Sequence, residues 1–321
     1  MADDLLARVG ATGLLDAPRV LVLLSGGRDS VALLDVAARL RPGAVAALHC
    51  NYGLRGEDSE ADERLCETLC ERLGVPLEVV RPAAPSGGNL HAWAREQRYA
   101  AGRARCEGGG TVLAVAQTAT DQAETVLYRL ATSPGRRALL GMPEHDGVVV
   151  RPLLAAGITR AQTGEWCRAH DLPWADDVSN DDERFARARV RAGLVPALRA
   201  VDERAERAVL ATARQLRDES ALLDALVRDE LGPTGEVIAR ERLAALHPAL
   251  ARLVLRELAE RAAGRSCPRA AARLDEILAL NDGALDVGDG ARIVVAGDVV
   301  RAEPTPPLPR ATGPAASLPR A

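Results

Sequence analysis

Residues 19–30 read RVLVLLSGGRDS, an apolar run of strand length that breaks at Ser-Gly-Gly-x-Asp-Ser and passes at Val31 into helical spacing. A buried strand, a turn of small residues and a helix in that order turn the backbone N–H groups of Gly26 and Gly27, and the helix N-terminus, toward one concavity. Such a concavity is an anion site, and phosphate fits it. A side chain on either glycine would hold a polyanion off the backbone. Ser25 and Ser30 add hydroxyl donors, Arg28 lies within the same turn, and Asp29 offers a carboxylate to a metal. The chain contains no lysine, so the other common phosphate loop, G-x-x-x-x-G-K-[ST], is excluded.

The pattern that begins there continues. Strand-like runs at 44–51, 75–80 and 111–116 alternate with helical spacing at about 30–41, 57–73, 90–107 and 121–132. The strands are continuous apolar runs, as in a parallel sheet buried on both faces by right-handed crossovers. The fold class expected is therefore α/β, a parallel sheet with helices on both faces. Ligands in such sheets bind at the carboxyl ends of the strands, where SGGRDS, His49-Cys50-Asn51-Tyr52 and Gln117-Thr118 all fall. Helical, arginine-rich sequence then runs to a Gly232-Pro233-Thr234-Gly235 breaker. Helices near 240–263 and 268–280 follow, and short strands around 285–287, 291–295 and 299–302 complete a smaller α+β unit. The expected organisation is a catalytic domain over 1–200, a helical linker over 201–235, a small substrate-binding domain over 236–302 and a proline-rich, disordered tail over 303–321.

With 321 residues and 47% hydrophobic content, the chain can bury one large core and a smaller one. It has no run of eighteen apolar residues and no basic leader, so the expectation is a cytoplasmic protein without a membrane partner. Its six cysteines form no C-x-x-C pair, which makes buried free thiols the expected state. The net charge of −4 conceals a local excess: 184–217 holds nine arginines against three acids. That segment suits RNA phosphates, and an ordinary solvated helix face is an equal alternative on charge alone.

Four further groups fall at or near the expected ligand rim. Arg55, in HCNYGLRGEDSEAD, is placed to clamp a phosphate or an RNA backbone, or simply to sit in a polar loop. Arg95 and Arg98 lie three apart in WAREQRY and suit a polyanion. Asp121 and Glu124, in TDQAETVLYRL, can hold Mg²⁺ or a cationic amine, and the same Asp-x-x-Glu reads as a helix cap. Finally, LPWADDVSNDDERFARARVR carries acids and Asn180 ahead of Arg187, Arg189 and Arg191.

These segments, with LLGM at 139–142, RPLL at 151–154 and RAGLVPAL at 191–198, resemble in order and spacing the tRNA(Ile)-lysidine synthetase family of N-type ATP pyrophosphatases, the PP-loop superfamily, over about residues 18–200. The resemblance implies a Rossmann-like PP-loop fold and ATP-dependent adenylation of the C2 oxygen of the wobble cytidine in a CAU-anticodon tRNA(Ile). Attack by the ε-amine of free L-lysine then gives lysidine, AMP and pyrophosphate. It implies ATP at Ser25, Gly26, Gly27, Arg28, Asp29 and Ser30, with Mg²⁺ on Asp29. It also implies catalytic roles for Asp29, Arg98, Asp121, Glu124 and Arg187, and tRNA contacts from Arg55, Arg95, Arg189 and Arg191. A homodimer is an open expectation. The alternative is another PP-loop enzyme, one that modifies tRNA differently or adenylates a small molecule. Three positions depart from the family pattern G-H-x-x-D-D-Q-x-E-T: Ala116 replaces the glycine, Gln117 the histidine and Thr120 the first aspartate. Gln117 can donate a hydrogen bond but cannot shuttle a proton. Ala188 replaces the asparagine of the R-N-x-x-R pattern.

Overall fold

A computed structural model of the chain describes residues 2–83, 85, 87, 89–133, 135–175 and 186–306, apart from the side chains of 2, 3, 91 and 187. The chain divides into two compact units, Met1–Arg217 and Asp218–Ala321. In the first, α1 (Ala2–Gly10), β1 (Arg19–Leu23), α2 (Arg28–Leu40), β2 (Val45–Cys50), α3 (Glu57–Leu73), β3 (Leu77–Val80), α4 (Leu90–Arg105), β4 (Thr111–Ala114) and α5 (Ala119–Thr132) follow one another. Two short strands, β5 (His145–Asp146) and β6 (Val149–Val150), and the helices α6 (Pro152–Ala155), α7 (Arg160–Ala169), α8 (Ala186–Arg189) and α9 (Val195–Val201) follow. α10 (Ala205–Leu231) runs from the first unit into the second.

The six strands lie in the order β3-β2-β1-β4-β6-β5, all parallel except the edge strand β5. β1 shows why helices cover both faces. Val20, Val22 and Leu24 enter a core with residues of α1, α2, α3 and α7, while Leu21 and Leu23 point the other way, into a core with Leu48, Leu113 and the α4 side. α4 comes so close to the sheet that a Cβ on Gly102 would meet Leu113 at 2.7 Å. From β1 the chain winds outward through β2 and β3, then returns to place β4 on the other side of β1. The order reverses between β1 and β4, and in open parallel sheets the ligand crevice lies at that point, beyond the carboxyl ends of the two strands.

The second unit contains β7 (Val237–Ala239), α11 (Arg240–Ala245), α12 (Pro248–Ala263), α13 (Leu274–Ala279), β8 (Gly283–Gly288), β9 (Ala291–Ala296) and β10 (Val299–Pro304). Its antiparallel sheet, β7-β10-β9-β8, shares a core with α12 through Val254, Leu255, Leu258, Ile293, Val295 and Val300.

Several boundaries differ from the sequence reading. The helix expected over 240–263 is broken at His247-Pro248, because proline disfavours helical backbone in the residue before it. The His247 ring then caps α12 by accepting from the Ala249 N–H. Only 270–279 of the expected 268–280 helix is helical, as a 3₁₀ turn and the short α13. Glu303 and Pro304, expected in the tail, instead pair with Arg292 and Ala291 in the sheet. The remainder of that tail from 307 lies outside the described residues. No helix among the described residues is long and apolar enough to cross a membrane.

Candidate active site

The Ser25–Ser30 turn leaves β1 at the crevice and is stiffened from within. Ser30 is buried; its hydroxyl donates to the Gly27 carbonyl and accepts from the Ser25 N–H, with Ser25 Oγ 3.1 Å away. Ser30 therefore shapes the loop rather than facing the concavity, and Ser25 is the exposed hydroxyl. Gly26 has φ +83, a conformation that favours glycine, and a Cβ there would come within 3.5 Å of Cys66 Sγ. The loop's other edge is covered by the backbone at Ala175, whose N–H donates to the Gly26 carbonyl.

α5 leaves the adjacent strand, and its cap differs from the expected one. Thr118 is the N-cap and Asp121 the third helical residue: Asp121 Oδ2 accepts from both the N–H and the hydroxyl of Thr118, at 2.8 Å each. Asp121 is thus both a capping group and, through Oδ1, a site carboxylate. Glu124, one turn on, is buried. Its two oxygens receive Arg191 Nε at 2.7 Å and Nη2 at 3.1 Å, a bidentate pair. Arg191 reaches it from a five-residue π-helical turn, 190–194, between α8 and α9, in which the Val195 N–H donates to the Val190 carbonyl.

One residue that sequence reasoning missed ties these parts together. Arg160, the first residue of α7, donates to Asp29 Oδ2 from Nε at 3.2 Å and to Asp121 Oδ1 from Nη2 at 3.3 Å, with Nη1 4.0 Å from Glu124. Its backbone N–H donates to Thr120 Oγ1, so the hydroxyl standing in place of an aspartate joins α5 to α7. Thr163 also donates to Asp29. The available signal was the Thr159-x-x-Gln162 capping box, which marks a helix start at Arg160.

The other expected residues lie elsewhere around the rim. Gln117 donates to the Tyr99 hydroxyl and accepts from Arg151 Nε, both at 3.1 Å, and Arg151 is itself buried. Arg95 stacks over the Tyr99 ring, 4.8 Å from its centroid. Arg98 Nε is buried without a hydrogen-bond partner. Arg55 pairs with Asp62. Arg189 is exposed on α8, while the Arg187 side chain and the whole of 176–185, Asn180 and Arg184 included, lie outside the described residues. All six cysteines are free and buried. Burial pushes the thiols of Cys70 and Cys167 up to about 11 and about 12, and that of Cys66 higher still. Among the described residues no group of three or more His, Cys, Asp or Glu has metal-ligand spacing.

Comparison with known proteins agrees with this architecture. The PP-loop domain family matches residues 4–198. The chain is similar to the tRNA(Ile)-lysidine synthase of Pseudomonas fluorescens (strain Pf0-1), with 37% identity over 218 residues, covering 65% of this chain and 48% of that protein. It is also similar to the tRNA(Ile)-lysidine synthase of Polaromonas naphthalenivorans (strain CJ2), with 36% identity over 244 residues, covering 73% of each. Among solved structures, a U34-tRNA thiolase from Methanococcus maripaludis with its [4Fe-4S] cluster shares the fold at a TM-score of 0.55 and 16% identity, over 67% of this chain and 78% of that one. The chain spans about half the length of the first curated relatives it matches. A PP-loop domain across most of the first unit, and a relative matched over nearly three quarters of both chains, make this protein a member of the tRNA(Ile)-lysidine synthase family.

Proposed function

We propose that this chain is a tRNA(Ile)-lysidine synthetase, a ligase that forms a C–N bond at the expense of ATP. The observation that carries the reading is the meeting, through Arg160, of the Ser25–Ser30 phosphate turn with the Asp121, Glu124 and Arg191 cluster. One half suits a polyphosphate and the other a cationic amine, the two small substrates that lysidine synthesis brings together.

In this reading the N–H groups of Gly26 and Gly27, the Ser25 hydroxyl and the N-terminus of α2 hold the phosphates of ATP. The C2 oxygen of the wobble cytidine in a CAU-anticodon tRNA(Ile) attacks the α-phosphorus, and pyrophosphate leaves. The target base must be splayed out of the anticodon loop to reach the crevice. Asp121 and Glu124 orient the ε-ammonium of L-lysine. Once that group has lost its proton, its nitrogen attacks C2, and the C2–O bond breaks to release AMP. Arg191 holds the Glu124 carboxylate in place through both oxygens. Arg98, with its unpartnered Nε, and Arg187 supply positive charge toward the phosphates, and Arg55, Arg95 and Arg189 contact the tRNA. The residues present fit magnesium as one carboxylate, Asp29, together with phosphate oxygens, the usual mode for a nucleotide-bound ion. Bound there, it would neutralise charge on the leaving pyrophosphate. Residues 1–200 would form the catalytic domain and 236–302 a tRNA-binding one.

The test is AMP release from ATP, with CAU-anticodon tRNA(Ile) and L-lysine each present or omitted, and the tRNA product weighed by mass spectrometry. Sustained release that needs both, with the tRNA gaining the mass of a lysyl group, is the expected result. Release that needs lysine or another small molecule but no tRNA would instead identify a small-molecule adenylating enzyme.

A further inference from the structure

Asp29, Asp121 and Glu124 face three guanidinium groups. Arg160 touches all three carboxylates, Arg191 holds Glu124, and Arg28 Nε lies 3.7 Å from Asp29. Among the described residues, three anions against three cations leave these six groups with no net charge. The pull of Asp121 and Glu124 on an arriving ammonium group is thereby offset by the cations already beside them, and the place the ammonium would take is filled by Arg160. The arrangement is unequal in one useful respect. Glu124 keeps a bidentate partner in Arg191 whatever Arg160 does, whereas Asp121 Oδ1 is held by Arg160 and Oδ2 by the helix cap.

The same guanidinium also lies against the phosphate turn, since Asp29 is in the first turn of α2 and accepts from Arg160 Nε. A triphosphate seated in that turn brings several negative charges beside Asp29, and guanidinium pairs strongly with phosphate oxygens. Arg160 can respond without moving its helix: its backbone is anchored at Thr120, while its side chain is long and partly exposed.

We propose that Arg160 is a positioning residue that couples the two subsites. Without nucleotide its guanidinium neutralises Asp121; when polyphosphate binds, the guanidinium turns to the phosphate oxygens and leaves Asp121 and Glu124 to the amine. Nucleotide therefore binds first and lysine second, and lysine does not occupy the site of an enzyme that has no ATP to adenylate with. This inference rests on the reading of Asp121 and Glu124 as the amine subsite.

Equilibrium dialysis of radiolabelled L-lysine against the full chain, with and without α,β-methylene-ATP and magnesium, tests it. In the parent chain the analogue should strengthen lysine binding by about 5- to 150-fold, the usual range of coupling between two sites, and lysine should strengthen analogue binding by the same factor. Arg160→Gln should bind lysine more tightly than the parent without nucleotide, and the coupling should fall below about twofold. Arg160→Lys, which keeps a movable cation, should retain coupling. Lysine bound equally well by the parent with and without the analogue, or coupling unchanged in Arg160→Gln, overturns the latch alone. A parent chain that binds the analogue and never binds lysine overturns the amine reading and the latch with it. If Arg160→Gln does not fold, the parent measurement and Arg160→Lys still decide the matter.

Discussion

The Glu124–Arg191 pair joins residues 67 positions apart and should be measurable as a coupling energy. Glu124 is 4% exposed and Arg191 28%. Replacing Arg191 by Met keeps most of the apolar stem and leaves Glu124 with Arg160 at 4.0 Å as its remaining cation. Breaking a fully buried ion pair from one side costs about 3–5 kcal/mol. With Arg160 still present and Arg191 partly solvated, the cost expected here is about 2–4 kcal/mol, shifted below that range. Glu124→Gln keeps the shape and one acceptor and should cost about 1.5–3 kcal/mol, the value of a hydrogen bond to a charged group. Because each single change already removes the pair, the double variant should cost less than the sum, by about 1–2 kcal/mol. The three tryptophans, Trp93, Trp166 and Trp174, all lie in the first unit, so their fluorescence during urea unfolding reports that unit. A loss of 3 kcal/mol in a unit of this size lowers its Tm by about 6–12 °C. Additivity of the two variants within about 0.3 kcal/mol would refute the pair as an energetic link between α5 and the 190–194 turn.

Other outcomes follow from the same contacts. Asp29→Ala should abolish AMP formation and cost only about 1–2 kcal/mol of stability, because Thr163 keeps its bond to the Arg160 carbonyl and Arg160 keeps Asp121; unchanged ATP turnover would remove Asp29 from the site. Gln117→His should retain activity, since a neutral imidazole offers one donor and one acceptor to Tyr99 and Arg151, whereas a large fall in rate would show a pocket shaped around the amide. Iodoacetamide at pH 8 should label the native thiols slowly and all six after unfolding, because burial raises the folded thiols above their ordinary value of 9.0. The sign for stability follows: these raised thiols stay protonated when folded but ionise when unfolded, so stability is intact below about pH 9 and declines from there toward about 11 for Cys70 and about 12 for Cys167. A urea midpoint that rises between pH 9 and pH 10.5 would contradict this.

Much of the sheet could be read from sequence because β1, β2 and β4 are largely apolar runs, and the glycine turn because φ +83 at Gly26 asks for glycine. What the sequence left out are elements whose pattern is too short to register. β5 and β6 have two residues each, and α1 is nine residues long with Leu5 and Val9 as its buried contacts. In the second unit, β7 depends on pairing with β10, and an isolated three-residue run carries no such signal.

The candidate site was legible in its parts and illegible in its connections, and arginine is the reason. All 41 basic residues of the chain are arginine, so neither residue type nor local charge separates a site guanidinium from a surface one. Arg191 was grouped with Arg187 and Arg189 by proximity in sequence, yet the π-helical turn that begins at Val190 carries its side chain to Glu124, while Arg189 on α8 is exposed. Arg160 lies 131 residues from Asp29 and 39 from Asp121, and only the crossover that brings α7 back beside α2 and α5 makes them neighbours. In a chain without lysine, the arginines that matter at this crevice are distinguished by the carboxylates that two separate helices, α2 and α5, bring to them. That distinction arises from the fold, and the glycine turn and Asp121 with Glu124 are the points from which it can be traced.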